Sequence, residues 1–232
     1  MPLPPSPSAP TTIRLVDGRT VDLLALDPGS TLPGRITAEL EGAVAAVTAF
    51  WGEDWRRQIT IVTAGTDEEF RALAGGRQEF AAATTVDRIV FAPGAAAMGP
   101  GALRIVLRHE LFHYASRPVT APDAPWCLTE GVADYVSRPR TPRPASADLA
   151  VLPTNADFQV TGPALSLAYD RAWWFARFVG AQFGDPVLRR LYLTACGVGH
   201  PDLTTALAAT LGLDGLADRC VAAVARDAGL TR

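Results

Sequence analysis

Residues 108–137 read R-H-E-L-F-H-Y-A-S-R-P-V-T-A-P-D-A-P-W-C-L-T-E-G-V-A-D-Y-V-S, and this stretch decides the fold. Its first part holds His109, Glu110 and His113, an H-E-x-x-H. Residues four apart on a helix share a face, so the two imidazoles can grip one metal ion. The Glu beside the first His is then placed to take a proton from water at that metal. A catalytic zinc usually has three protein ligands plus water. Glu130 supplies the third, with sixteen residues between it and His113. That gap lets the first helix end, the chain turn, and a second helix run back past the metal. Asp134 lies one helical turn after Glu130. A zinc-bound His needs an acceptor for its other ring N–H, and a carboxylate is a common one.

Short motifs occur by chance, and a His on an apolar helix is more often a core residue than a ligand. Here the chain has only three histidines, and two of them are in this motif. The motif lies within an apolar helical run, and an E-x-x-x-D follows on a second plausible helix. The residues therefore read as a site for one Zn²⁺ per chain.

H-E-L-F-H followed by L-T-E-G-V-A-D-Y resembles the gluzincin metallopeptidases, the group of thermolysin and aminopeptidase N. Within that group the chain is most similar to the short peptidase MA-like domains of bacteria. The resemblance covers roughly Val86 to Gly184. It implies an α+β, thermolysin-like (zincin) catalytic lobe with a small mixed sheet, followed by a C-terminal helical lobe. It also implies His109, His113 and Glu130 as zinc ligands and Glu110 as general base. In this pattern the strand before the zinc helix lies at a sheet edge, where an extended peptide can add by backbone hydrogen bonds. Val86–Phe91 is the expected shelf, with Val86, Arg88 and Val90 as substrate-binding residues. Tyr169, in A-Y-D-R-A, resembles the tyrosine of peptidase MA-like domains at that place and is the expected oxyanion donor; the alternative is a packed core aromatic. Tyr114 and Tyr135 are weaker candidates. Arg171 is a candidate contact for a substrate carbonyl or carboxylate. The aminopeptidase branch carries a G-x-M-E-N strand that holds the substrate's free amine. The sequence here is F-A-P-G-A-A-A-M-G-P-G, so the expectation is a zinc endopeptidase. The alternative is a catalytically silent zinc-binding module. The presence of Glu110 argues against it, because a structural zinc needs no base and is usually closed by four Cys or His ligands.

The bulk properties agree with an enzyme acting on a peptide or protein. A chain of 232 residues with 48% hydrophobic and 19% charged residues can bury a substantial core. A net charge of −3 gives no sign of a nucleic-acid partner. All 21 basic residues are Arg. Cys127, Cys196 and Cys220 are odd in number and widely spaced, which makes no disulfide framework. Cys196 and Cys220 could pair if their helices pack. Cys127, three residues before Glu130, reads as a small core residue. No apolar run is long enough to span a bilayer, and the N-terminus lacks a signal-peptide pattern, so a cytoplasmic location is expected. The sequence is silent on oligomeric state.

In chain order, residues 1–11 are Pro- and Ser-rich and expected to be disordered. Residues 12–232 form one domain, with an α/β lobe to residue 116 and a helical lobe from 117. Thr12–Leu26 reads as a hairpin about Asp17-Gly18, Pro33–Trp51 as an amphipathic helix, and Ile59–Thr63 as a buried strand. Thr66 and Glu69 have capping-box spacing. Pro93–Gly101 is either a mobile rim or a linker. Helices follow at 102–116 and 126–136. Ser137–Pro163 reads as a long loop, either a cleft wall or a disordered insert. Further helices are expected at 164–183, 186–196, 201–211 and 214–228. His200 is expected to be an exposed loop residue.

Overall fold

A computed structural model describes residues 9–75, 80–141 and 151–212. The Pro-rich start, the expected helix at 214–228, Cys220 and the middle of the 137–163 loop lie outside the described residues. The chain is mixed α+β, and it divides into two compact units on either side of the Ser116–Arg117 bond.

The first unit is built on a sheet of five strands: β1 (Thr11–Arg14), β2 (Thr20–Ala25), β3 (Gln58–Thr63), β4 (Ala82–Thr84) and β5 (Ile89–Phe91). Their order across the sheet is β1-β2-β3-β5-β4. The outer pairs are antiparallel and the inner ones parallel. The Asp-Gly hairpin forms as expected. Gly18 takes φ 86°, and the turn is closed by Leu15 N–H donating to the Arg19 carbonyl at 2.8 Å. Buried Arg19 anchors it by pairing with Asp17 and stacking 3.9 Å over the Trp55 ring.

Strand alternation sends side chains to both faces. Val62, Ala83 and Val90 pack with Phe70 of helix α2 (Asp67–Leu73). Val21, Ile59, Ile61 and Ile89, of the opposite parity, are fully buried. The Thr66–Glu69 capping box opens α2 as its spacing predicts. Helices α1 (Leu32–Trp51) and α3 (Pro100–Ser116) pack together. Phe112 of α3 meets Phe50 and Trp51 of α1 edge-on at 6.1 and 5.5 Å. Arg104 forks onto Glu39 at 2.7 and 3.0 Å. Residues 93–97 form a short 3₁₀ turn. Arg35 of α1 donates to the Ala96 carbonyl at 2.6 Å and also to that of Met98. This loop is thus tied to α1 through Arg35.

One strand differs from its expected place. The strand runs over Ile89–Phe91, not from Val86, because Thr85–Arg88 is a turn closed by Thr85 N–H to the Arg88 carbonyl at 2.8 Å. It is also interior, with β3 on one side and β4 on the other. Among the described residues the edge here is β4. Its Ala-Ala-Thr sequence carries little β propensity, and only pairing with β5 makes it a strand.

The second unit is helical: α4 (Trp126–Ser137), α5 (Pro163–Phe183), α6 (Asp185–Cys196) and α7 (Leu203–Leu211). A 3₁₀ turn at Asn155–Phe158 lies in the long loop. No helix among the described residues is long and apolar enough to cross a membrane. Helices α4 and α5 touch most closely at Gly131, where an added Cβ would lie 2.4 Å from the Ala172 carbonyl oxygen. Because that obstacle is backbone, Gly131→Ala is expected to lower unfolding free energy by about 1–3 kcal/mol, the usual cost of overpacking. Urea titration checks this, and undiminished stability would mean that the two helices do not need the close approach.

Candidate metal centre

Helix α3 presents His109 and His113 on one face, four residues apart. Leu103, Leu107, Leu111 and Phe112 are fully buried on its other sides. The Tyr114 hydroxyl donates to the Gln58 carbonyl at 3.0 Å, fastening the helix to the sheet. With three sides committed, the His pair has one direction left. The two Nε2 atoms lie 3.0 Å apart.

On α4, Glu130 is half-buried among residues that are buried on both sides, Thr129 and Gly131. One ligand atom from each of His109, His113 and Glu130 lies within 4.8 Å of the other two. Among the described residues this is the one group of three or more His, Cys, Asp or Glu side chains that could hold a metal ion. The set fits zinc. Zn–N bonds of about 2.0–2.1 Å at a tetrahedral angle put two ring nitrogens roughly 3.3 Å apart, close to the spacing found. Two imidazoles and one carboxylate also form an open ligand set with a place left for water.

Glu110, next to His109 on α3, is 8% exposed. Its Oε2 accepts a hydrogen bond from the Thr84 hydroxyl at 2.7 Å, and the same hydroxyl lies 3.0 Å from the Glu110 backbone carbonyl. Nothing in the sequence pairs Thr84 with Glu110. The contact depends on β4, the strand whose composition hides it.

Asp134 is 3% exposed and pairs with Arg138 at 2.7 Å, one turn on. Arg138 also reaches Asp170 at 2.7 Å and lies 4.9 Å from the Trp173 ring centroid. Tyr169, on α5, packs edge-on to Phe158 at 5.2 Å, and Phe158 packs on Trp126 at the start of α4 at 6.1 Å. Arg171 is half-buried. Hydrogen bonds from Thr154 hold the Asp157 carboxyl below its ordinary range, and the Arg171 charge adds to that. Tyr114 and Tyr135 both spend their hydroxyls on structure. Tyr135 donates to Asp185 at 2.6 Å, and burial, with that carboxylate, pushes its pKa up to about 12.

The expected shelf residues do not form an edge. Val86 is 64% exposed in the turn, Arg88 pairs with its neighbour Asp87, and Val90 is fully buried in the α2-side cluster. His200 is not exposed either. Its side chain is 14% exposed, lies 3.6 Å from Asp123, and shares a 2.8 Å contact with the Pro201 carbonyl.

No protein-family profile matches the sequence, and no curated protein matches it. Solved structures do match the fold. An aminopeptidase A of Legionella pneumophila in complex with aspartic acid aligns with a TM-score of 0.60 and 15% identity, over 94% of this chain and 28% of that one. A mutant M1 zinc metallopeptidase from Deinococcus radiodurans aligns with a TM-score of 0.53 and 16% identity, over 93% of this chain and 51% of that one. The likeness is one of fold, and the chain spans between about a quarter and a half of the neighbours' length.

Cys127 and Cys196 are buried free thiols. Burial raises Cys127 from 9.0 to about 12, and it raises Cys196 further, with Cys127 adding to the shift. The folded chain thus holds these protons more tightly than the unfolded one. Their contribution to stability is present below about pH 9 and is lost as pH rises through the folded-state values. Cys127 is also outside the His109, His113 and Glu130 group. Cys127→Ala is accordingly expected to leave zinc content unchanged, measured by elemental analysis. Loss of zinc in that variant would make Cys127 a ligand.

Proposed function

We propose that this protein is a zinc-dependent peptidase, acting as an endopeptidase on an extended segment of a peptide or protein. The observation that carries the reading is the convergence of His109, His113 and Glu130, with Glu110, next in sequence to the first His, held by Thr84. Its likeness in fold to M1 zinc metallopeptidases and to an aminopeptidase supports the same chemistry. The endopeptidase reading rests on the edge strand. Next to it the chain reads F-A-P-G-A-A-A-M-G-P-G, which does not match the G-x-M-E-N of the aminopeptidase branch.

In this reading His109, His113 and Glu130 would hold one Zn²⁺. The ion would polarise the scissile carbonyl and lower the pKa of water toward ~7. Glu110 takes a proton from the attacking water as its oxygen bonds the carbonyl carbon. It returns that proton to the nitrogen as the C–N bond breaks, leaving a carboxylic acid and an amine. Tyr169 donates a hydrogen bond to the oxyanion of the tetrahedral intermediate, and Arg171 contacts a substrate carbonyl. Asp134 accepts the outward ring N–H of a ligand His and orients it, with Arg138 balancing its charge. Strand β4, the sheet edge among the described residues, offers backbone groups to the extended substrate.

Glu130→Ala is expected to lose zinc, and Glu110→Gln to keep it while kcat falls by about a hundred- to ten-thousandfold, the span of general-base catalysis. Zinc retained without Glu130 would move the third ligand elsewhere. Hydrolysis undiminished without the Glu110 carboxylate would remove the base. Tyr169→Phe is expected to lower kcat by about a hundred- to a thousandfold, as loss of one oxyanion donor does. Steady-state kinetics on that variant decide it, and wild-type turnover would leave Tyr169 as a packed aromatic.

A further inference from the structure

We propose that Thr84 is a positioning residue that divides the labour of the two Glu110 oxygens, fixing Oε2 so that Oε1 alone carries the proton. The proposal rests on the peptidase reading above and deepens it. A buried carboxylate needs a partner, and Glu110 finds it on a different element, the edge strand β4. Thr84 has one hydroxyl proton to give. Of its two acceptors, the carboxylate is the nearer, at 2.7 Å against 3.0 Å for the backbone carbonyl, and bonds to a charged oxygen are the stronger.

The donor is well held. Ala83 faces the α2 cluster, so alternation turns Thr84 toward α3. Thr84 pairs in register with Ile89 of β5, itself fully buried. A β-branched side chain has few χ1 choices, so the hydroxyl has a fixed direction. A general base must receive its proton on one oxygen and deliver it from the same place. A carboxylate free to spin about its last bond would present either oxygen, and small misplacements of a reacting group are costly. Among the described residues the same strand is the sheet edge, so the element offered to the substrate and the group aiming the base are one piece.

The test uses the full chain loaded with zinc and a peptide taken from a quenched-fluorescent library. Thr84→Val keeps the shape and removes the donor. It is expected to lower kcat by about ten- to a hundredfold, the usual cost of losing an outer hydrogen-bond partner, with KM and zinc content unchanged. Thr84→Ser keeps the donor and is expected to recover most of the rate. Wild-type kcat in Thr84→Val, a loss confined to KM, loss of zinc, or a Ser variant as slow as the Val variant would each overturn the proposal. A readout independent of turnover is the double-mutant cycle of Thr84→Val with Glu110→Ala in urea unfolding of the zinc-free chain. Directly bonded residues are expected to be non-additive, and additive effects would overturn the bond. A wild-type chain that binds no zinc or cleaves no peptide sinks the peptidase reading itself. An active wild type with an additive cycle sinks only the role of Thr84.

Discussion

Everything in the first unit serves to hold one helix still. Helix α3 must be buried on most of its circumference, yet it must present two polar imidazoles on the remaining stripe. Those demands conflict unless each side has its own partner. Phe112 on Phe50 and Trp51, the Arg104–Glu39 fork and the Tyr114 hydroxyl on the Gln58 carbonyl provide those partners in three directions. Ridge and groove packing thereby sets the rotation of the helix, and that rotation sets where His109 and His113 point.

The second unit applies the same logic to a single ligand. Helix α4 is short, and a single carboxylate must be held at a fixed depth. Close approach at Gly131 lets α4 lie against α5 with nothing between the backbones. Asp134 and Arg138 add an ion pair along the same helix, and Arg138 ties it to Asp170. The aromatic run of Trp126, Phe158 and Tyr169 packs the start of α4 against the long loop and α5. A residue as small as glycine beside a metal-ligand candidate is thus a packing device.

The Glu110 environment shows how much of a site can reside in an unremarkable strand. Ala82–Thr84 has a single branched residue, Thr84, and lacks the alternation that marks a strand in sequence. It exists because β5 offers it a ladder of backbone partners. Once there, it supplies the hydroxyl that holds the carboxylate. The Val-rich run next to it, which looks like the better edge, is drawn inward for the same reason it is conspicuous. Val90 and Ile89 are apolar, and the interior of the sheet is where apolar residues are stable.

The sequence by itself determined the local features. The hairpin at Asp17-Gly18, the capping box at Thr66 and Glu69, the spans of α1 and α3 to α6, and the i, i+4 placement of His109 and His113 all follow from short-range periodicity and turn chemistry. These operate within a few residues, so a sequence displays them directly. The third member, Glu130, was legible as well, as a carboxylate on a second helix expected to run back past the His pair. Tertiary structure decided what depends on distant partners. It put β5 inside the sheet and β4 at the edge, and it joined Thr84 to Glu110 across 26 positions. It also left Val86 exposed in the turn before β5, paired Arg88 with Asp87 and buried Val90 against α2. Strand order and long-range hydrogen bonds arise from the competition of all segments for burial and for backbone partners, and no short stretch of sequence contains that competition.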